Sequence, residues 1–526
     1  MHRFLRLGLS LVPLLLATSL PAQLAPVGAP KGSLRFDIRG AFESADRRLL
    51  DDQTEDYLAD FGSSAFGSDR LPFLRATDSL VGTVLGQAGY RLNLGAQRAN
   101  GQLTIGTGTI AAALGITSKV TLFANVPFVT TRVQARLRLD STAADGGLNP
   151  AHPTLGNASD QALAATFFTA FDNALSTLQS RIQSGTYAGD PTLQAIALEI
   201  AARGTTARDA LSTITRDPNQ ASPFLPTAAS PTGQQIVASI RGLQDTLANT
   251  LGVPGFASDP VLAAGRLTDQ EFAGFVSDPA GPMDAFPLGE SKISRMGDMD
   301  VGAVLTLVDR FDRPGHTGGF RFAVTGLVRL PTGQRDNPAN LLDVGTGNGR
   351  YEVGVSGTAD LGAGRLGARF TGGYLLRLST LRVRRLTAPG APYALAGTLT
   401  NVREDAGDVM QLGARPFFRL ARNIAIHGEV DFQRTLADAV SYDSPSDSIA
   451  GLSANLLAEK RRSALAVGGG VSYVGRSAHE CEPGRRCGWP IEAGWSYTTV
   501  VQGWGGRVVK FRTTRLEIRW YQRIWR

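Results

Sequence analysis

Residues 297–333 constrain this chain more than any other stretch. The first half sets Met299, Val301, Ala303, Leu305 and Leu307 on one face against Asp300, Gly302 and Thr306 on the other, a period of two. After RPGHTGG the alternation resumes, with Phe320, Phe322, Val324, Val328 and Leu330 opposed by Arg321, Thr325 and Arg329. The pattern predicts a hairpin with one apolar and one charged face. A water-soluble sandwich would cover the apolar face with a second sheet. A barrel in lipid leaves that cover to hydrocarbon and turns the charged face into an enclosed lumen.

The same alternation recurs along the chain. Leu34, Phe36, Ile38 and Phe42 oppose Arg35, Asp37 and Arg39. Val120, Leu122, Ala124, Val126 and Phe128 share a face; a bulge near Pro127 is then expected to move the apolar set to Val133, Ala135, Leu137 and Leu139, which turns Arg132 and Arg136 to the polar side. Further polar rows hold Glu352 and Asp360, then Arg369 and Arg377, then Arg415, then His427, Glu429 and Asp431, and at the end Glu517 and Arg519. Residues 90–116 are Gly-rich and alternate less cleanly, and 44–79 reads as an irregular loop. About twelve strands result.

The ends and connections separate the two architectures. Arg3 and Arg6, an apolar run from Leu7 to Leu20 and the small-residue step at Ala22 predict a secretory signal peptide over residues 1–22. Beyond it no apolar run is long enough for a spanning helix. With a periplasmic N-terminus, ITSK, RFDRPGHTGG, GAGR and LARN are short junctions on one side. The long ones (44–79, 141–295, GQRDNPANLLDVGTGNG and 389–408) fall on the other, and the junction around CEPGRRC is the exception, longer than its neighbours on the periplasmic side. This sorting, with an even strand count, is that of bacterial outer-membrane barrels, and the cell outer membrane is the expected location.

Residues 141–295 differ in kind. Apolar residues recur at helical spacing (Leu163, Phe167, Phe171, Leu178 and Ile182, later Ile236, Ile240, Leu243 and Leu247), and Thr268 with Glu271 fits a capping box. The expected organisation is an all-β transmembrane antiparallel up-and-down barrel with a large α-helical insertion in an extracellular loop. Residues 33–139 supply about three strands, 141–295 the insertion, and 297–525 about nine strands. The insertion is either a cap or plug over the pore mouth or an elaborated surface loop.

GITSKVTLFANVPFV, GDMDVGAVL and VRLPTGQ followed by DVGTGNG resemble the outer-membrane barrels grouped under the MetA pathway of phenol degradation and related transporters. The resemblance covers residues 101–138 and 297–526 and implies a porin-like transporter of small aromatic compounds. The helical insertion and the final Arg526 after Trp525 depart from that pattern.

The formal charge is +7, and of 53 basic residues only five are lysine. Arginine suits bidentate contact with phosphate and carboxylate, although genome composition produces the same bias. No compact basic stripe points to nucleic acid. No GxSxG, HExxH or P-loop motif is present, so neither an enzyme nor a cofactor is expected. His427 beside Glu429 and Asp431 is the one compact acid/base group, and a solvated channel wall accounts for it as well. Asp298 and Asp300 form a weak Ca²⁺ candidate. Cys481 and Cys487 are expected to form a disulfide, with a zinc site including His479 as the alternative. The expected lumen wall comprises Arg35, Asp37, Arg39, Arg132, Arg136, Arg321, Arg329, Glu352, Asp360, Arg369, Arg377, Arg415, His427, Glu429, Asp431, Glu517 and Arg519. The expected partners are outer-membrane lipid and a small, anionic or aromatic solute. A closed structural or partner-binding barrel and an outer-membrane hydrolase are the competing readings.

Overall fold

The computed structural model describes residues 27–525 except 51–52, 279–280, 312–317, 388–389, 422, 457–458 and 476–490. The expected signal peptide, both cysteines, His316 and His479 lie outside the described residues.

Twelve antiparallel strands form one closed ring: β1 (Ser33–Ala45), β2 (Ala96–Gly115), β3 (Val120–Asp140), β4 (Met299–Asp309), β5 (Gly318–Leu330), β6 (Glu352–Ala363), β7 (Leu366–Arg377), β8 (Val409–Arg419), β9 (Ile424–Thr435), β10 (Arg462–Val474), β11 (Ile491–Trp504) and β12 (Arg512–Arg523). Each pairs with its sequence neighbours, and β1 closes on β12 from Ser33↔Arg523 to Ser44↔Arg512. A closed ring leaves no unpaired strand edge, the condition for backbone to sit in hydrocarbon. A further strand, Glu290–Met296, lies against β3 beside the top of the ring.

The junctions sort by end. At one end lie both chain ends, 116–119, 420–423 and the two-residue turn Gly364–Arg365, where Gly364 takes φ 60°, the left-handed conformation that a tight hairpin needs. At the other lie 46–95, 141–298, 331–351, 378–408, 436–461 and 505–511. Outward from the wall point Ile38, Phe42, Ile110, Leu122, Phe128, Val355, Phe370, Leu412, Ile426, Trp495 and Ile518, all exposed. Among the described residues no second sheet covers them, so these rows need hydrocarbon. Among the described residues no helix is long and apolar enough to cross a membrane, which says nothing of strands.

Two expectations need correction, the bulge in β3 and the irregular loop after β1. The β2–β3 ladder runs without interruption from Ala96↔Asp140 to Gly115↔Thr121, through Thr109↔Pro127, so β3 has no bulge against β2 at Pro127. The irregularity lies on its other side, where β3 leaves β4 after Asn125↔Asp300 and picks up the outer strand at Phe128↔Met296. Parity therefore holds throughout β3, and Arg132 and Arg136 point outward on the face of Leu122 and Phe128, not into the lumen. The Gly-rich region, expected as a less regular strand within 90–116, is a strand of 20 residues from Ala96. The loop after β1 contains a small hairpin, Arg47–Leu50 with Gln53–Asp56, and ends in helix α1 (Arg75–Leu85).

Four more helices follow in the connection between β3 and β4: α2 (Ala158–Gln183), α3 (Pro191–Arg216), α4 (Pro231–Asp245) and α5 (Asp269–Ser277). The capping box is present, with Thr268 Oγ1 accepting from the Glu271 N–H and the Glu271 carboxylate from the Thr268 N–H. Phe167, Phe171, Leu178, Ile236, Ile240 and Leu243 build one apolar core with α1, whereas Leu163 is exposed. A second core joins α5 and the 46–95 loop to the inner wall of the upper barrel at Leu103, Ile105, Val129 and Val133.

Candidate functional site: the lumen and its two closures

The site is the barrel interior, and strand parity fixes what lines it. Of the seventeen residues expected on the lumen wall, fifteen face inward, Arg132 and Arg136 being the exceptions. They gather into four cross-strand networks. In the first, Asp37 accepts from Arg35 and Arg39, each at 2.9 Å, Arg39 reaches Glu517 at 3.2 Å, and Glu517 takes Arg519 at 2.5 Å. In the second, Arg329 holds Asp300 at 2.7 Å and Glu352 at 3.0 Å, with Arg377 3.5 Å from the same Glu352. In the third, Asp360 binds Arg369 at 2.5 Å and Arg321 at 3.5 Å. In the fourth, Glu429 lies between Arg415 and Arg515, the latter at 2.9 Å. Arg369 and Arg519 are 0% and 1% exposed, so these guanidiniums are packed into the wall and balanced by carboxylates rather than lining a wet, uniformly cationic tunnel.

The fourth network contains the acid/base candidate. His427 faces inward with Nδ1 unpartnered, and its ring lies where a Cβ on Gly470 would approach within 2.8 Å of it, which accounts for glycine there in β10. Glu429, taken by two guanidiniums, acts as the counter-ion of the wall. Asp298 and Asp300 do not form a cation site, and among the described residues no cluster suits a metal. Asp298 accepts the backbone N–H groups of Gly333 and Asn348 at 2.9 and 2.7 Å, and Asp300 belongs to Arg329. The Asp298 contacts tie GDMD to both LPTGQ and DVGTGNG, folding the 331–351 loop inward so that Thr346, Gly347 and Asn348 line the cavity below. That is the physical reason for three motifs that are far apart in sequence.

Between the ends lies a cavity of about 240 Å³. Its lining mixes apolar side chains (Ala111, Phe123, Pro127, Val304, Leu327) with polar ones (Arg39, Asn125, Arg329, Thr358, Gln411), which alternate along the same inward rows, as Asn125 does between Phe123 and Pro127. A smaller hollow of about 90 Å³ on the β8–β12 side shares Thr371 and Gln411 with it. Thr358 and Gln411 stand on the polar rows that the sequence alternation gives, whereas Asn125 and the buried Glu492 were not singled out; both sit at the parity of a charged wall residue, the signal that would have found them.

Aromatic rings gather at the long-loop end. Phe61 and Phe66 of the 46–95 loop, Phe272 of α5 and Tyr393 of the 378–408 loop meet with centroids 5.1 to 5.6 Å apart. Gln97 of β2 donates to the Tyr393 hydroxyl at 2.9 Å, and burial pushes that phenol's pKa up. Beside it Asp60 is clamped by Arg48 at 2.9 Å and by Arg507. Burial alone would raise this carboxyl, but the two guanidiniums outweigh it and hold the pKa at about 2. At the other end the segment after Val27 enters the ring: the Val27 carbonyl accepts from Arg35 at 2.8 Å, and the Ala29 N–H donates to Thr121 at 2.9 Å.

A closed ring, an apolar belt that no other described residues cover and long connections gathered mostly at one end leave one location. The chain is an outer-membrane β-barrel. No family model and no curated protein matches it. Among solved structures it is similar to the COG4313 outer membrane channel from Pseudomonas putida F1, at 8% identity over 95% of this chain and 99% of that one, with a TM-score of 0.39. It is also similar to the CymD monoaromatic hydrocarbon channel, at 9% identity over 93% and 88% with a TM-score of 0.25. A third likeness is to the translocator domain of the autotransporter NalP from Neisseria meningitidis, at 7% over 94% and 89% with 0.28. Likenesses at this level carry no argument about solute or mechanism.

Proposed function

We propose that the barrel is a channel for small solutes, closed at rest by the ring cluster at its outer mouth. The cavity between the two closures carries this reading. At about 240 Å³ it is smaller than a pocket for a drug-sized ligand, roughly 300–1,000 Å³, and its lining interleaves apolar and polar side chains. Such a space suits a small molecule that carries both apolar and hydrogen-bonding groups. The charges in the wall are nearly balanced by cross-strand pairing, so the anion preference that arginine abundance implies is a weak one.

Single-channel recording in planar bilayers tests this. The parent protein is expected to give small, infrequent steps with a slight anion preference. Tyr393→Ala with Phe272→Ala, which removes two of the four rings, is expected to raise conductance or open probability several-fold. Strong cation selectivity would reject the selectivity argument. Silence from both proteins would reject the channel and favour a closed structural barrel, the reading to which the fully packed Arg369 and Arg519 lend weight.

A further inference from the structure

We propose that the outward face of the upper β2–β3 hairpin, with the outer strand Glu290–Met296, binds the phosphorylated saccharide headgroup of a glycolipid in the outer leaflet. The proposal is independent of what passes through the lumen. Because β3 keeps its parity, the face that presents Leu122 and Phe128 to lipid continues upward as Arg132, Gln134, Arg136 and Arg138. Arg98 on β2 and Lys292 on the outer strand extend it sideways.

Two features set this cluster apart. Arg98 lies directly opposite Arg138, and Arg132 directly opposite Lys292. Like charges facing each other across a ladder destabilise it unless an anion lies between them. Glu290 bonds Arg132 at 2.8 Å, but among the described residues no ion pair holds Arg98, Arg136, Arg138 or Lys292. All four are exposed. The lumenal arginines described above are in direct ion pairs; here Glu290 acts on Lys292 as well as Arg132 and Asp140 acts on Arg98 from a distance, which leaves a net excess of cations beyond the exposed Phe128 on the same strand face.

Height decides between lipids. At the usual rise and tilt of barrel strands, Arg132 to Arg138 covers roughly 20 Å of strand and about 15 Å of height. A phospholipid headgroup layer is only about 5–8 Å deep on each side of the hydrocarbon. A ladder of cations about twice that tall fits a lipid whose phosphates lie at several depths along a sugar chain. Guanidinium forks suit such phosphates bidentately.

The test uses the full-length folded protein, purified in detergent, mixed with lipopolysaccharide, washed, and assayed for retained glycolipid by native mass spectrometry. The parent is expected to retain at least tenfold more of the phosphorylated glycolipid than of the same material after enzymatic dephosphorylation. The R98E/R136E/R138E variant is expected to lose that retention, while Lys119→Glu, at the opposite rim, keeps it. Equal retention by parent and triple variant, or indifference to dephosphorylation, would overturn the proposal. Phosphatidylglycerol retained as well as the glycolipid would overturn the saccharide assignment. Should the triple variant fail to fold, judged by its gel mobility before and after boiling, the dephosphorylation comparison on the parent decides alone.

Discussion

The β2–β3 hairpin carries one unbroken alternation through two regions in which it means opposite things. Below Phe128, Ile110 and Leu122 face out while Thr107, Thr109 and Asn125 face the cavity. Above it, Arg136 and Arg138 face out, and Leu103, Val133, Ala135 and Leu139 face in, buried in the core beneath the loops. The pleat fixes which side each residue takes. The medium on each side decides whether that residue is apolar. In the membrane the outside is hydrocarbon and the inside holds paired ions; above it the outside is water and the inside is a protein core. One strand face thus passes from grease to charge with no change in backbone.

The sharpest way to break this comparison is to remove an arginine from each region. Arg369→Ala in the lower wall strips Asp360, itself buried, of its nearest cation and leaves only Arg321 at 3.5 Å. A cost of about 3–5 kcal/mol is expected, read as a fall in the urea midpoint for unfolding from lipid vesicles. Arg136→Ala, exposed and unpaired, is expected to change stability by less than about 0.5 kcal/mol. Similar costs at the two sites would mean that the lower ion pairs are not buried as described. The next test adds a charge instead. Ala124 and Gln134 share the outward face of β3, ten residues apart. Ala124→Arg puts a charge against hydrocarbon and is expected to cost about 2–4 kcal/mol, whereas Gln134→Arg is expected to cost close to nothing. A midpoint loss at Gln134→Arg as large as that at Ala124→Arg would place both positions in lipid.

Period-two alternation made the twelve strands, their closure and the inward rows legible in advance, because a wall between lipid and a polar lumen imposes it on every strand. The same rule failed at β3 when an assumption was added to it. Reading Arg132 and Arg136 as lumenal required a bulge at Pro127, and that assumption came from expecting the apolar face to stay outward along the whole strand. Leaving parity alone would have turned both arginines outward and shown where the strand leaves the membrane. The closures were not legible. The meeting of Phe61, Phe66, Phe272 and Tyr393 joins three loops far apart in sequence, and no periodicity encodes it. Asp298 was visible as an acidic residue near a strand end, but its two backbone donors, Gly333 and Asn348, emerge only when the 331–351 loop folds inward.

The smallest expected effect asks whether ion pairs above the membrane behave like those in the wall. Asp60 joins the 46–95 loop, through Arg48, to the 505–511 loop, through Arg507. Its folded pKa of about 2 lies below the ordinary 3.8, so the unfolded cap binds the proton more readily than the folded one. The sign follows: the stabilisation, roughly 2 kcal/mol, is fully present above about pH 4 and is lost as the pH falls through about 2. Limited pepsin digestion between pH 4 and pH 1.5 is expected to release fragments of the 46–95 loop in that window while the strands, held by their ladders, stay intact. Asp60→Asn cannot form the charged clamp, so its loop is expected to be cut at a rate that does not vary across the window once pepsin's own pH profile is divided out. Release of the loop in the parent already at pH 4, or an Asp60→Asn profile that follows the parent's, would show that the clamp does not hold the cap. The difference between the two regions would then rest on packing alone.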